Sequence, residues 1–173
     1  MNFNDLVQQF GTHEYYKKKS YVFSQGDENK YIYLVLEGVL KASYNDKEGK
    51  EYIKSFLFAG DSIASSQALS GGSCSFSLLC LKETKLIKLS YQEVRQAAAN
   101  NLDTANSIIE LLMSFAMKKE QREYELLCLS AEQRYQNLLT KSPGISQQIT
   151  QNDIARYLGI TPVALSRIKH KPR

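Results

Sequence analysis

The sequence predicts an α+β fold: an N-terminal antiparallel β-roll, then a long helix, then a C-terminal helix-turn-helix. Two patterns lead to this prediction. Aromatic and β-branched runs between Tyr21 and Tyr91 are short and separated by turn residues, which is typical of a double-stranded β-helix or jelly-roll-like structure. A helical pattern without Gly or Pro then extends from Leu102 to Leu139.

Regularly spaced glycines mark the turns of the predicted β-roll. Gly26, Gly38, Gly49 and Gly60 are 12, 11 and 11 residues apart, and they interrupt the runs "YIYLVL", "VLKASY" and "EYIKSFLF". The segment "NDKEG", which ends at Gly49, predicts a hairpin loop. Two further strands are predicted in "SFSLLCLKE" and "KLIKLS".

The helical half begins at Ser90, a predicted N-cap for "YQEVRQAAANN". The long helix that follows carries apolar residues at helical intervals, among them Ile108, Ile109, Leu112 and Phe115. This stripe is longer than a small β-domain covers, so we expect a homodimer built on the long helix. The alternative is a helix that packs only on its own β-domain. The resulting division is 1–100 for the β-roll sensor, 101–128 for the dimerisation helix and 129–173 for the helix-turn-helix domain.

Ser130 is expected to cap a helix that "SPG" ends, and two shorter helices follow it. Thr150 is a predicted cap for "QNDIARYLG", and Gly159 allows a sharp turn. Thr161 and Pro162 then give the cap and first residue of a second helix. The residues predicted to face inward are Ile154, Ala155, Leu158, Leu165 and Ile168.

The second helix presents side chains suited to the major groove of double-stranded DNA. The residues predicted to face the bases are Thr161, Pro162, Val163, Ser166, Arg167 and His170. Lys169, Lys171 and Arg173 suit phosphates better. Residues 141–173 hold six basic side chains and one acidic one, a charge of +5, whereas the whole chain carries +4. This excess favours a polyanionic partner; a generic helical hairpin with a solvated basic tail is the alternative.

Composition excludes several other classes. No apolar run approaches the roughly 20 residues of a membrane helix, and "MNFNDLVQQF" does not resemble a signal peptide, so we expect a cytoplasmic protein without a membrane partner. Cys74, Cys80 and Cys128 are too few and too scattered for a disulfide framework or a zinc site. With only His13 and His170 and no nucleophile–base pair, the sequence predicts no enzyme and no identifiable cofactor.

The segment "KKKSYVFSQGDENKYIYLVLEGVLKASYNDKEGKEYIKSFLFAGDSI" resembles the cyclic-nucleotide-binding β-roll of the Crp/Fnr transcription regulators. The order of β-roll, long helix and helix-turn-helix is similar to that family too. The resemblance implies a bacterial homodimer that binds a palindromic operator, with RNA polymerase as a further candidate partner. It places Arg167 on the arginine that contacts bases, with Ser166 and Thr161 on the same face.

The sequence departs from the family where a cyclic nucleotide would bind. In members that bind one, a glutamate holds the ribose and an arginine pairs with the phosphate; in "GDSIASSQALSGGSCSFSLL" these positions fall on Ser65 and on Cys74 or Ser75. No basic residue lies between Gly60 and Lys82, so cyclic AMP binding is not expected. The residues proposed to line a pocket for a different, unknown effector are Gly60, Asp61, Ser65, Ser66, Cys74 and Ser75. The alternative is a plain strand connection in which Cys74 is structural.

Other family sensors are not supported either. The iron–sulfur branch uses an N-terminal cysteine cluster, and no cysteine precedes Cys74. A second departure is that only "KHKPR" follows Ile168, which is expected to make this either a minimal or a shortened member. The leading function is thus a DNA-binding transcription regulator. The alternative is a ligand-binding or protein-interaction module whose helix-turn-helix no longer binds DNA.

Overall fold

The computed structural model describes residues 3–170. Its strands form two four-stranded sheets in which every pair is antiparallel, with the orders β1-β8-β3-β6 and β2-β7-β4-β5. The strands are β1 (Thr12–Tyr16), β2 (Tyr21–Phe23), β3 (Tyr31–Glu37), β4 (Leu40–Asn45), β5 (Glu51–Leu57), β6 (Ser62–Ile63), β7 (Ser77–Cys80) and β8 (Thr84–Ser90). Val35, Leu40 and Leu78 belong to the core that both sheets contribute to. The predicted antiparallel β-roll is confirmed.

The β4–β5 hairpin shows why the turn residues were informative. The Asp46 carboxylate accepts hydrogen bonds from the backbone N–H groups of Glu48 and Lys50, both at 2.9 Å. Gly49 has a φ of +80°, a conformation that glycine adopts without steric cost. The hairpin predicted at "NDKEG" is therefore confirmed. Strand β1 was not predicted, because "THEYY" has no strict apolar alternation.

The helices are α1 (Phe3–Phe10), α2 (Ser66–Leu69), α3 (Tyr91–Asn100), α4 (Leu102–Cys128), α5 (Ala131–Lys141), α6 (Ile145–Gln148), α7 (Gln151–Leu158) and α8 (Pro162–Lys169). The helical pattern is interrupted where a cap was predicted: Ser130 and Gln133 form a reciprocal capping box at the start of α5. Helices α1, α2 and α6 were not predicted. No helix in the described part of the chain is long and apolar enough to cross a bilayer.

One apolar cluster crosses the predicted boundaries between domains. Val39 of the β-roll is buried in the same cluster as Tyr135 of α5 and Leu158 of α7, and Phe56 of β5 packs against it. The division into 1–100, 101–128 and 129–173 remains a prediction. The shared cluster nevertheless places the β-roll and the C-terminal helices in direct contact.

Candidate functional site

Helices α7 and α8 form a compact pair with a capped start to each helix. The Thr150 hydroxyl accepts a hydrogen bond from the Asp153 N–H at 3.1 Å, and the Thr161 hydroxyl accepts one from the Ala164 N–H at 3.1 Å. Gly159 ends α7 in the left-handed region, with φ 70° and ψ 30°. The sequence thus fixes both helix starts and the turn between them.

The inward face of this pair is apolar, as predicted. Ala155 and Leu158 are completely buried and Leu165 is 1% exposed. Ile168 is partly buried against the same cluster. Because Ala155 has only a methyl group, α7 and α8 can pack closely at this position.

The predicted base-reading residues lie on the opposite, solvent-exposed face of α8. All of them are exposed: Thr161, Pro162, Val163, Ser166, Arg167 and His170. Lys169, which was predicted to contact phosphate, is exposed as well. Thr161 uses its hydroxyl oxygen for capping, and His170 places Nδ1 at 2.8 Å from the Ser166 carbonyl. Lys171 and Arg173 lie outside the described residues. The exposed face is therefore available to a partner, although two of its polar groups already have internal hydrogen-bond partners.

The structure refines the basic excess of the C-terminal segment. Lys141 pairs with Glu125 of α4, and Arg156 pairs with Glu51 of β5 at 2.7 Å. These cations are neutralised within the protein. Arg167 and Lys169, in contrast, form no ion pair with any residue between 3 and 170. Within residues 141–170, the cations that form no ion pair with the described residues are thus the two on α8.

Three of the proposed effector-binding residues lie close together in the β-roll. Ser65 is 3% exposed, and its hydroxyl accepts a hydrogen bond from the Ser75 N–H at 3.2 Å. Cys74 is 2% exposed, and burial, with the nearby Asp27 carboxylate, raises the pKa of its thiol. A raised pKa keeps the thiol protonated, the direction expected of a structural cysteine.

The other three proposed pocket residues have different surroundings. Asp61 accepts a hydrogen bond from the Phe58 N–H at 2.9 Å and pairs with Lys118 of α4 at 3.3 Å. Gly60 has a φ of +91° and donates its N–H to the Val35 carbonyl at 2.9 Å, so it shapes the turn. Ser66 is exposed at the first position of α2. The contacts of Gly60 and Asp61 are those of a turn that also connects the β-roll to α4.

The β-roll holds a cation that could not be predicted from the segment between Gly60 and Lys82, because it comes from the neighbouring strand β5. Lys54 of β5 is partly buried, with Nζ 5.1 Å from the ring centroid of Phe76, the residue after Ser75. Burial lowers the pKa of Lys54, and the neighbouring charge of Lys119 on α4 adds to this effect. Lys54 forms no ion pair with the residues described.

A β-bulge explains the position of Lys54. Ala42 pairs with Ser55 and Ser43 pairs with Ile53, so Lys54 is the extra residue between them. A bulge breaks the strict alternation of strand faces and can redirect a side chain. The bulge, and with it the position of Lys54, can be identified only from the register of β4 against β5 and not from the residue spacing within β5.

Helix α4 exposes one apolar stripe to solvent. At about 100° per residue, the stripe is about 80° wide. Its members, each at least 53% exposed, are Leu102, Ile109, Met113, Met117, Tyr124 and Leu127. The stripe predicted from sequence is divided in the structure, because Ile108 packs inward on α1 and β8 while Ile109 and Leu112 face solvent.

Comparison with known proteins gives consistent matches. The cyclic nucleotide-binding domain model matches residues 13–101. The chain is 27% identical to regulatory protein HlyX of Actinobacillus pleuropneumoniae and 27% identical to the fumarate and nitrate reduction regulatory protein of Vibrio cholerae. Each match covers 88% of this chain, but only 68% and 65% of the two relatives' own lengths.

Solved structures share the fold at lower identity. FixK2 from Bradyrhizobium japonicum superposes with a TM-score of 0.79 at 19% identity, over 92% of this chain and 82% of that one. A CooA mutant from Carboxydothermus hydrogenoformans gives 0.74 at 14% identity, over 98% of this chain and 83% of that one. Because the domain model spans about half of the chain and both sequence relatives are regulatory proteins, this protein belongs to the cyclic nucleotide-binding domain family and, within it, to the Crp/Fnr family of regulators.

Proposed function

We propose that this protein is a cytoplasmic transcription regulator that binds a palindromic DNA operator as a homodimer. In this proposal α8 lies in the major groove, and the β-roll senses an effector and acts through α4. The observation that carries it is the exposed face of α8, where Arg167 and Lys169 have no ion-pair partner among the described residues. RNA polymerase as a further partner rests on family resemblance alone.

The exposed stripe on α4 supports the homodimer. Soluble proteins rarely leave large adjacent apolar side chains in water unless a partner covers them. Positions 102, 109, 113, 117, 124 and 127 recur at intervals of three, four or seven residues, so they lie along one side of the helix, where a second helix can pack. A second copy of α4 would bury the same stripe on both helices, as a twofold interface requires.

The homodimer is tested by replacing the centre of the stripe. We expect Ile109→Glu combined with Met113→Glu to shift sedimentation velocity from dimer to monomer, because two buried carboxylates per helix would face each other without partners. Ser114→Glu, an exposed position outside the stripe, is the control and should remain dimeric. A dimer that persists in the double variant would exclude this seam.

The DNA-binding proposal is tested with a duplex selected from a random-sequence library. Arg167→Ala should weaken binding to that duplex by about 5- to 150-fold, because a bidentate contact to guanine contributes about 1–3 kcal/mol of discrimination. Arg95→Ala, which removes an exposed arginine of α3, is the matched control and should bind as wild type. Affinity should also fall steeply with salt as phosphate counterions are released.

Equal affinity and sequence preference in wild type and Arg167→Ala would show that α8 is not the reading helix. No selected duplex at all would favour the ligand-binding or protein-interaction module instead. For the effector, the proposal keeps the region around Ser65 and Ser75 but not cyclic AMP, since a serine stands at the glutamate position and a cysteine or serine at the arginine position. Micromolar binding of cyclic AMP by calorimetry would contradict this part.

A further inference from the structure

The start of α7 is attached to the β-roll by a network of charges. Lys41 of β4 places Nζ 2.9 Å from Glu51 Oε1 and 3.1 Å from Asp153 Oδ1. Arg156, one turn further along α7, reaches Glu51 Oε2 at 2.7 Å and Asp153 Oδ1 at 3.8 Å. Two cations and two carboxylates therefore alternate across the contact between β-roll and α7.

The centre of this network is shielded from water. Lys41 is 6% exposed and Asp153 is 8% exposed, although both residues are ionisable. Charges at such burial are tolerated only when they are paired with good geometry, and removing one partner leaves the other uncompensated. The Lys41–Asp153 contact joins residues 112 positions apart in the chain, so it links α7 directly to the sheet.

The other end of α7 is held from the remaining side. The centroid of the Tyr157 ring lies 5.4 Å from that of Phe56 in β5, and the Arg122 guanidinium of α4 lies over the Tyr157 ring, 3.7 Å from its centroid. Arg122 also donates to the Tyr157 carbonyl, and Arg134 of α5 donates to the Leu158 carbonyl at 2.9 Å. The last carbonyls of a helix lack partners within the helix, and here neighbouring helices supply them.

Helix α8 is expected to follow any movement of α7. Leu158 and Leu165 are buried in one cluster, and the Ile160 N–H donates to the Ala155 carbonyl at 3.0 Å across the turn. These contacts make the two helices a single packing unit. We therefore expect a change in the position of β4 or β5 to reach the exposed face of α8 within one chain.

We propose that Lys41 is a positioning residue for α8, and that the β-roll acts on the helix-turn-helix directly through Lys41 and Asp153 as well as through α4. The attachment itself does not depend on the protein's function. Its effect on DNA affinity rests on the proposed function above. Lys41 is too deeply buried to touch DNA, so it must act through α7.

Hydrogen exchange on the 173-residue chain tests the attachment without DNA. We expect Lys41→Met to increase the exchange of α7 and α8 amides by about tenfold or more, because Glu51 and Asp153 then share only Arg156. Lys85→Met is the matched control: it removes a β-roll cation whose partner Glu37 is in the same domain and exposed. Its exchange in α7 and α8 should equal that of wild type.

The double variant separates a specific contact from general destabilisation. Lys41→Met with Asp153→Asn removes one charge of each sign and leaves the Glu51–Arg156 pair intact. The increase in the exchange rate of α7 amides in the double variant should be smaller than the product of the fold increases in the two single variants. If Lys41→Met does not fold, the same comparison of hydrogen exchange is made with Lys41→Arg, Asp153→Asn and the combination of these two. Multiplicative effects, or exchange equal to that of Lys85→Met, would overturn the proposal.

DNA binding provides a second readout. Lys41→Met should lower affinity for the selected duplex while the salt dependence stays that of wild type, since no phosphate contact is lost. Unchanged affinity alongside faster exchange would overturn the positioning role while leaving the attachment. If wild type binds no duplex, the proposed function and the positioning role fail, and the exchange data still decide the attachment.

Discussion

Gly159 gives a sharp test of how the turn between α7 and α8 is specified. Its φ of +70° lies in the left-handed region, and a Cβ added there would meet no atom within 4 Å. Replacing it with alanine therefore changes only the backbone preference and introduces no steric clash. Gly38 is the opposite case, because with φ +110° an added Cβ would lie 2.5 Å from Thr84 Oγ1 and 2.7 Å from the Glu83 carbonyl oxygen.

The magnitude follows from these two environments. A left-handed conformation costs a non-glycine residue about 1–2 kcal/mol. Losing glycine's freedom in the unfolded chain returns about 0.4–1 kcal/mol. The free energy of unfolding should thus fall by about 1 kcal/mol in Gly159→Ala, which for a chain of this size corresponds to about 2–4 °C in melting temperature. Gly38→Ala adds overpacking of about 1–3 kcal/mol and, after the same return from the unfolded chain, should cost about 1–4.5 kcal/mol.

Thermal and urea unfolding of wild type, Gly159→Ala and Gly38→Ala, followed by circular dichroism, measure these differences in stability. Gly159→Asn provides the critical comparison, because asparagine adopts the left-handed region more readily than alanine. It should recover part of the stability lost in Gly159→Ala. A loss as large in the asparagine variant as in the alanine variant would refute the conformational explanation, and so would equal losses at Gly159 and Gly38.

Two further predictions concern charges that the fold perturbs. Burial tends to raise the pKa of Glu51, but Lys41 and Arg156 outweigh it and hold this pKa below its ordinary value of 4.5. The stabilisation that follows is present above about pH 4.5 and is lost as pH falls through the lowered pKa. Glu51→Gln should therefore have a lower free energy of unfolding at neutral pH, and that free energy should depend less on pH in acid than it does in wild type. Urea titrations that give the same pH dependence in acid for both proteins would contradict this. The pKa of Lys54 is lowered by burial and by Lys119, so its charged form is penalised at neutral pH. Lys54→Met removes this penalty, so at pH 7 its melting temperature should exceed that of wild type by about 2–4 °C for each kcal/mol gained in the free energy of unfolding. The gain should shrink as pH rises towards 10.5, the ordinary pKa of lysine. A melting temperature below that of wild type at pH 7 would contradict this prediction.

Local sequence signals predicted the elements well because each depends on neighbouring residues. Ser130 and Gln133 form a capping box within one turn, and Thr161 and Pro162 start α8 by their own side-chain chemistry. Glycines at turns report a backbone conformation that other residues adopt at a cost. The order of β-roll, long helix and helix pair could therefore be deduced before any coordinates.

The candidate site was less predictable because its contacts join distant parts of the chain. Lys54 is displaced by a bulge that depends on the register of β4 against β5. The contact of Lys41 with Asp153 spans 112 positions, and that of Arg156 with Glu51 spans 105. Arg156 was counted with the free basic charge of the C-terminal segment, whereas it is neutralised by the β-roll.

The two faces of α4 suggest how dimerisation and the helix-turn-helix are related. At about 100° per residue, Arg122 and the completely buried Thr104 point away from the stripe that contains Ile109 and Met113. The outer face carries the exposed apolar stripe, while the inner face combines apolar packing by Ile108 with polar contacts: Arg122 reaches Tyr157 and Lys118 reaches Asp61. A rotation of α4 about its axis, imposed by a second copy on the outer face, would move Arg122 relative to the β-roll. Because α7 contacts both α4 and the β-roll, such a rotation in the proposed homodimer would be expected to strain the Arg122 contact, the Lys41 contact or both.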